Sequence, residues 1–205
     1  ELTNWPKDLR EKLKEEVPFT ELVNFTEFPS SDHKTIKVLA NTKEGFPIES
    51  VLMRNKDRIT VCISCMSGCP VGCKFCATGY MDRKRNLNAD EIFDQVVLIA
   101  KQAEQNYKLA LSNIVYMGMG EPLLNYANVL RSIERITAEN GLNMSYKRIT
   151  VSTAGIAKMI KKLGDDEVKF NLALSLHAAN DVKRDRIMPI NESNKLDVLE
   201  ESLNY

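Results

Sequence analysis

The five cysteines of this 205-residue chain, Cys62, Cys65, Cys69, Cys73 and Cys76, lie within one short stretch. The last three have the spacing C-x-x-x-C-x-x-C. A disulfide framework would spread its cysteines along a secreted chain to close loops. Clustered thiols without a secretion signal indicate metal ligands or redox chemistry instead.

The spacing favours an iron–sulfur cluster over zinc. Four thiolates normally complete the ligand set of a [4Fe-4S] cluster, so three thiolates leave one iron without a protein ligand. A catalytic metal centre needs such an open position. Structural zinc would need a fourth ligand, which Cys65 could supply, although zinc ligands usually occur as two separate pairs. A zinc-binding interaction module and chance clustering of buried cysteines remain open alternatives.

The elements around the cysteines indicate an α/β fold. Strand-like segments at 35–39, 48–53 and 59–63 predict an antiparallel meander after a short helix at 8–16. After residue 88, helix and strand alternate, which implies parallel strands joined by right-handed crossovers. The predicted strands are 114–117, 148–151 and 170–176, and the predicted helices are 88–103, 129–136, 156–163 and two short ones after 176.

About four strand–helix units are too few to close an eight-stranded barrel. The prediction is therefore a partial (β/α) barrel preceded by a small antiparallel β element. Residues 1–57 are expected to be the remnant of an N-terminal region with this β extension, and 58–205 an incomplete core. The chain lacks an initiator Met and stops inside a helical pattern at 200–205, so truncation at both ends is expected.

The balanced overall charge indicates no particular partner, so local charge clusters are more informative. Lys and Arg total 28, as do Asp and Glu. No apolar run reaches the roughly 20 residues needed to cross a bilayer, and the first six residues lack a signal-peptide pattern, so a cytoplasmic protein without membrane contact is expected. The local basic clusters that could contact phosphates are Arg83-Lys84-Arg85, Lys147-Arg148, Lys161-Lys162 and Lys183-Arg184 with Arg186.

Several further segments resemble the RlmN/Cfr family of radical S-adenosylmethionine RNA adenine methyltransferases, with the RlmN branch favoured. The similarity runs from about residue 35 to 195 in the family's order. The matching segments are Cys62-Ile63-Ser64, Cys69 to Gly79, Arg85-Asn86-Leu87, Met117 to Asn125, Arg148 to Thr153, Ser175 to Ala178 and Met188 to Asn191.

The resemblance implies a role for each matching residue. Cys69, Cys73 and Cys76 match the cluster ligands. Gly120 and Glu121 match the positions that hold the methionine amino group of the cofactor. The positions that line the cofactor are Ser152, Ser175, Leu176 and His177, and the proposed proton acceptor is Glu49.

The implied activity is methylation of adenosine C2 in 23S ribosomal RNA, with transfer RNA as a second candidate substrate. A [4Fe-4S] cluster would split S-adenosylmethionine to a 5′-deoxyadenosyl radical, with an electron donor such as flavodoxin, in a monomeric enzyme. The family's methyl-carrying cysteine lies in its C-terminal part, and this chain has no cysteine after Cys76. The chain as it stands is therefore not expected to complete methyl transfer. Another radical enzyme, such as an activase or maturase, and an inactive fragment are the remaining alternatives.

Overall fold

The computed structural model describes residues 4–16 and 20–205; the first three residues of the stretch inspected for a signal peptide lie outside them. Within the described residues, seven strands form one sheet and two short strands form a hairpin. The strands are β1 (Leu22–Pro29), β2 (Thr35–Thr42), β3 (Pro47–Asn55), β4 (Arg58–Cys62), β5 (Met66–Ser67), β6 (Arg85–Asn86), β7 (Asn113–Tyr116), β8 (Ile149–Thr153) and β9 (Asn171–Leu174). The helices are α1 (Lys7–Glu16), α2 (Ala89–Tyr107), α3 (Tyr126–Thr137), α4 (Ala157–Asp165), α5 (Asp181–Ile187) and α6 (Leu196–Leu203).

The large sheet has the order β1-β2-β3-β4-β7-β8-β9. Its first four strands pair antiparallel, and β4, β7, β8 and β9 pair parallel. The α/β class, the antiparallel element and the incomplete parallel set are thus confirmed. Because β3 pairs with β4, the antiparallel strands continue the parallel ones in a single sheet with free edges at β1 and β9.

One face of the sheet is the core of the molecule. On β3, the side chains of Ile48, Ser50 and Leu52 are buried, whereas the alternating Glu49 and Val51 are half-buried. The period of two places the buried set against the helices and the other set on the opposite face. That second face, which we call the open face, carries one row of side chains across the sheet through the register Val51–Cys62–Val115–Thr150.

The helix that follows the cysteines begins as predicted. Asn88 accepts a hydrogen bond from the Glu91 amide at 2.9 Å, and the Glu91 carboxylate accepts one from the Asn88 amide at 2.8 Å. This capping box satisfies two amide donors that the first turn of α2 would leave free. The apolar side chains Ile92, Val96 and Ile99 are then buried against the sheet.

The structure differs from the sequence-based elements in several places, of which three concern the edge of the sheet or the approach to the site. β1 was not predicted; its side chains beyond Val23 are exposed, because it is an edge strand with little apolar alternation. α3 begins at Tyr126, earlier than the predicted 129, after a 3-10 helix over Pro122–Asn125. β9 ends at Leu174, two residues before the predicted end. Among the described helices, none has both the length and the hydropathy needed to cross a bilayer.

Replacing Leu52 by Ala tests which face of the sheet is the core. Leu52 is 0% exposed, so Leu52→Ala should lower the free energy of unfolding by about 2–5 kcal/mol through lost burial and a residual cavity. Leu39 lies on β2 with its side chain 38% exposed, so Leu39→Ala should cost less than about 1 kcal/mol. Urea denaturation followed by circular dichroism measures both, and similar losses for the two variants would contradict the assignment of faces.

Candidate functional site

A cavity of about 300 Å³ lies at the carboxyl ends of the parallel strands. This is at the lower end of the usual range for small-molecule sites. The segments that follow β4, β7, β8 and β9 all contribute to its wall, as expected for the ligand-binding edge of a parallel sheet. The lining residues include Cys69, Cys73, Cys76, Phe75, Gly118, Gly120, Glu121, Ser152, Ala154, Ser175 and Met188.

The three predicted cysteine ligands are brought to this one cavity. Their loop is closed by a hydrogen bond from the Cys76 amide to the Cys73 carbonyl at 3.1 Å. A second bond joins the Lys74 amide to the Ile187 carbonyl of α5 at 2.9 Å. Buried Met188 belongs to a small apolar cluster against which Cys69 and Cys73 pack. The loop is therefore held from the β9–α5 side of the cavity as well as by its own backbone.

Two glycines after β7 allow the backbone to pass directly beneath the cysteine segment. A Cβ on Gly118 would lie 2.7 Å from the Ile63 carbonyl oxygen. A Cβ on Gly120, whose φ is +102°, would lie 2.6 Å from the Met66 side chain. Larger residues are excluded at both positions, so the loop carrying Glu121 stays close to the segment that leads to Cys69.

Burial disfavours the thiolate form of Cys69 and Cys73 when no cation is present. It raises the pKa of the Cys73 thiol to about 11, with further contributions from the neighbouring thiols Cys69 and Cys76. Burial also raises the pKa of Cys69. Binding of a metal centre deprotonates its thiol ligands and releases protons, so these positions would become thiolates only together with their metal.

The donor set fits an iron–sulfur cluster better than a single metal ion. In the part of the chain that the structure describes, no three His, Cys, Asp or Glu side chains converge closely enough to hold one ion. A cluster takes its thiolates on different irons and does not require them to meet at one point. Cys65 does not complete a zinc set, because its thiol is buried and directed to the Met119 carbonyl oxygen at 3.6 Å.

Glu121 supports the cavity wall as well as lining it. Its carboxylate accepts hydrogen bonds from the Ala154 amide at 2.7 Å and the Leu123 amide at 3.1 Å. The side chain is buried, and burial raises its pKa, partly offset by these hydrogen bonds. The Thr153 side chain is a third hydrogen-bond partner. A carboxylate has about four acceptor positions, so these three bonds leave capacity for one further donor in the cavity.

Of the remaining cofactor candidates, Ser152 and Ser175 line the cavity. The hydroxyls of Ser152 and Ser175 are 3.3 Å apart, at the ends of β8 and β9. Leu176 and His177 are exposed, and neither is among the lining residues of the cavity. The His177 ring lies over Phe75 of the cysteine loop with their centroids 3.9 Å apart. This contact connects the two walls at the mouth of the cavity.

Glu49 does not line the cavity. It lies on β3, half-buried on the open face, and its carboxylate is 3.2 Å from the Lys37 ammonium group. Its backbone carbonyl accepts a hydrogen bond from the Ser64 hydroxyl at 2.6 Å. Ser64 also accepts a bond from the Met119 amide at 2.9 Å. Ser64 therefore links the Glu49 backbone to the loop that carries Gly118 and Gly120. The Glu49 side chain itself lies on the open face and outside the cavity.

Sequence reasoning missed the structural role of Arg184, which it had placed in a surface basic cluster. Arg184 is 0% exposed. Its guanidinium donates to the carbonyl oxygens of Ala154 (2.6 Å), Leu176 (3.1 Å) and Ser175 (3.3 Å), and to the side-chain oxygen of Asn191. One buried cation thereby joins the segments after β8 and β9, and only its isolation from solvent, which the sequence does not show, could have revealed this.

The residues of the other basic clusters also differ in their surroundings: some are paired with carboxylates and others stay exposed. Arg85 is engaged by Glu91 and Glu44, both at 2.6 Å, and Lys162 pairs with Asp166 at 3.0 Å. Lys147 and Arg148 directly precede β8, at the edge of the sheet opposite the cavity. In the connection between β5 and β6 and on α5, the cationic residues that stay exposed are Lys74, Arg83, Lys84, Lys183 and Arg186.

Comparisons with known proteins agree with this arrangement. Residues 63–204 match the Radical SAM superfamily. A protein of Cytophaga hutchinsonii named "Probable dual-specificity RNA methyltransferase RlmN" is 57% identical over 99% of this chain and 55% of its own length. A protein of the same name from Christiangramia forsetii is 47% identical over 100% of this chain and 58% of its own length.

A solved structure is similar over nearly the whole chain. The crystal structure of a radical SAM methyltransferase from Sphaerobacter thermophilus has a TM-score of 0.92 and 43% identity, over 98% of this chain and 59% of its own. The chain therefore spans less than two thirds of the length of the relatives that it matches.

Arg184→Met tests whether the buried guanidinium holds the cavity wall. The variant leaves the carbonyl oxygens of Ala154, Ser175 and Leu176 without their donor, at a cost of at least about 2 kcal/mol in the free energy of unfolding. Arg186→Met, two residues along the same helix and exposed, should stay within about 0.5 kcal/mol of wild type. Equal urea midpoints for the two variants would show that Arg184 does not have this role.

Proposed function

The chain belongs to the radical SAM superfamily, and from this premise we propose that it forms the catalytic core of an enzyme that methylates C2 of adenosine in RNA. The observation that carries the proposal is the single cavity shared by Cys69, Cys73 and Cys76 with the glycine loop after β7. Relatives named RNA methyltransferases align over the whole of this chain. Because it spans only part of their length, the activity is proposed for the whole protein.

Superfamily membership implies a [4Fe-4S] cluster and S-adenosylmethionine as cofactors. When bound, they supply the radical chemistry that an electron-poor aromatic C–H without a lone pair requires. Cys69, Cys73 and Cys76 would hold the cluster. Burial of their loop against Met188 would keep water away from the bound group, and the shape of the glycine loop would keep Gly120 and Glu121 beside it.

The other candidate residues would bind and orient the cofactor. Gly120 and Glu121 would receive its methionine amino group, since the Glu121 carboxylate retains acceptor capacity inside a buried wall. Ser152 and Ser175 would offer hydroxyls from the ends of β8 and β9. Leu176 and His177, at the mouth of the cavity, would cover it, with the His177 ring held by Phe75.

Glu49 would accept the proton that leaves the adenosine carbon. It stands on the open face, where a nucleotide could lie across the sheet in front of the cavity. Lys37 would keep the carboxylate in place and compensate its charge. General base catalysis of this kind contributes about 10²- to 10⁴-fold to a rate.

The finer assignments belong to the same proposal. The substrates would be 23S ribosomal RNA and transfer RNA, in the cytoplasm, with a monomeric enzyme reduced by a donor such as flavodoxin. Residues 58–205 would form the radical SAM core, and residues 1–57 would carry the remainder of an N-terminal region with its β extension.

Iron content and cofactor cleavage test the proposed ligands. After anaerobic reconstitution, wild type should hold about four iron atoms per chain and form 5′-deoxyadenosine from S-adenosylmethionine when reduced. Cys69→Ala, Cys73→Ala and Cys76→Ala should each lose most of the iron and all of the product. Cys62→Ala is the matched control, because Cys62 lies on the open face and does not line the cavity; it should keep its iron.

RNA dependence separates this function from that of other radical enzymes. If the substrate is RNA, 5′-deoxyadenosine formation should increase when RNA is added and should be indifferent to an added glycyl-radical partner protein. Zinc in place of iron, or turnover unaffected by RNA, would contradict the proposal.

A further inference from the structure

A solvent-exposed aromatic ring stands beside the cysteine loop. Tyr80 ends the 3-10 helix Ala77–Tyr80, which directly follows Cys76. Its side chain is 76% exposed. Surface residues of this size are common singly, so exposure alone does not indicate a function.

The position of the ring is fixed although the ring is not buried. The Tyr80 hydroxyl donates to the Lys74 carbonyl oxygen at 2.7 Å. One residue before Tyr80 in the same 3-10 helix, a Cβ on Gly79 would lie 2.4 Å from the Cys73 carbonyl oxygen, so the backbone packs tightly on the cysteine loop. An ordered side chain loses conformational entropy, and burial of the ring does not compensate for it here. An exposed ring held by its hydroxyl loses less freedom when it binds a molecule outside the chain, and what distinguishes Tyr80 from other exposed rings is its place directly after the cysteine loop.

Exposed apolar side chains and positive charge surround this ring. Phe75, which lines the cavity, and Met81, the residue after Tyr80, are also exposed. Lys74, Arg83 and Lys84 are exposed in the same connection between β5 and β6, and the last two directly precede β6. Asp82 also lies there, but its carboxylate is 3.9 Å from Lys84 and 94% exposed, so it compensates little of that charge.

We propose that Tyr80 is a stacking platform for an unpaired RNA base, with Lys74, Arg83 and Lys84 contacting the neighbouring phosphates. This inference rests on the proposed function and adds a binding subsite to it. Aromatic rings stack on unstacked bases of single-stranded RNA, and basic side chains track its backbone. The chemistry of the patch, an aromatic face within a cationic rim, fits this partner better than an acidic protein, which would not need the exposed ring.

Fluorescence anisotropy tests the proposal with the reconstituted protein and a fluorescein-labelled single-stranded RNA of mixed sequence. Loss of one stacked base weakens binding by about 5- to 150-fold, so Tyr80→Ala should raise the Kd by that factor. Tyr80→Phe keeps the ring and should retain most of the affinity. The matched control is Tyr205→Ala, because Tyr205 is 72% exposed and its hydroxyl is likewise hydrogen-bonded, to Asp165; its Kd should not change.

Salt and duplex RNA separate stacking from phosphate contact. Tyr80→Ala should leave the slope of log Kd against log salt unchanged, whereas Lys84→Met should reduce its magnitude by about one. A double-stranded RNA has no unstacked base to offer, so the effect of Tyr80→Ala should disappear with it. Iron content and the urea midpoint of Tyr80→Ala should equal those of wild type.

The outcomes distinguish failure of this proposal from failure of the proposed function. Equal affinity of wild type and Tyr80→Ala for single-stranded RNA would overturn the stacking role alone. If Tyr80→Ala also formed 5′-deoxyadenosine more slowly when flavodoxin is the electron donor, but not when dithionite is, the ring would belong to an interface with the donor protein. Wild type without affinity for RNA would contradict both proposals.

Discussion

The close passage of two backbone segments is the constraint on which the rest of the site depends. The amides of Cys65 and Met66 both donate to the Met119 carbonyl oxygen, at 2.9 and 3.1 Å, and the Gly118 amide donates to Ile63 at 3.0 Å. These bonds extend the pairing of β4 and β7 beyond the ends of both strands. They are possible because Gly118 and Gly120 carry no side chain. The cysteine loop and Glu121 consequently leave the sheet side by side and enclose one cavity.

Opposite this junction, Arg184 performs the corresponding role for β8 and β9. Hydrogen bonds to carbonyl oxygens of the two segments stabilise its buried charge. Asn191 connects it to the carboxylates of Asp181 and Asp185. Such a fully hydrogen-bonded buried cation is costly to disturb. The two junctions hold the walls of the cavity from both sides. The contact between Phe75 and His177 then joins the walls at the mouth.

Much of this site could be predicted because its signals are local. The spacing of Cys69, Cys73 and Cys76 puts three thiols on one short loop whatever the fold, and strand–helix alternation places such loops at one edge of a parallel sheet. The burial of Arg184 could not be predicted, since it depends on how α5 packs on the ends of β8 and β9 and on the distant partner Ala154. Which face a β3 side chain occupies is known only once the sheet register is known. The sequence alone therefore could not show that Glu49 lies on the open face and outside the cavity wall. The edge strand β1 lacked the alternation that reveals strands.

Electron paramagnetic resonance of the reduced, reconstituted protein tests the central claim most directly, namely that three cysteines hold a cluster with one iron open to the cofactor. The account predicts the signal of a reduced [4Fe-4S] cluster whose g-values change when S-adenosylmethionine is added, because the cofactor would have access to an iron that none of the three cysteines holds. A spectrum indifferent to S-adenosylmethionine, or the absence of any cluster signal in protein that is otherwise folded, would contradict it.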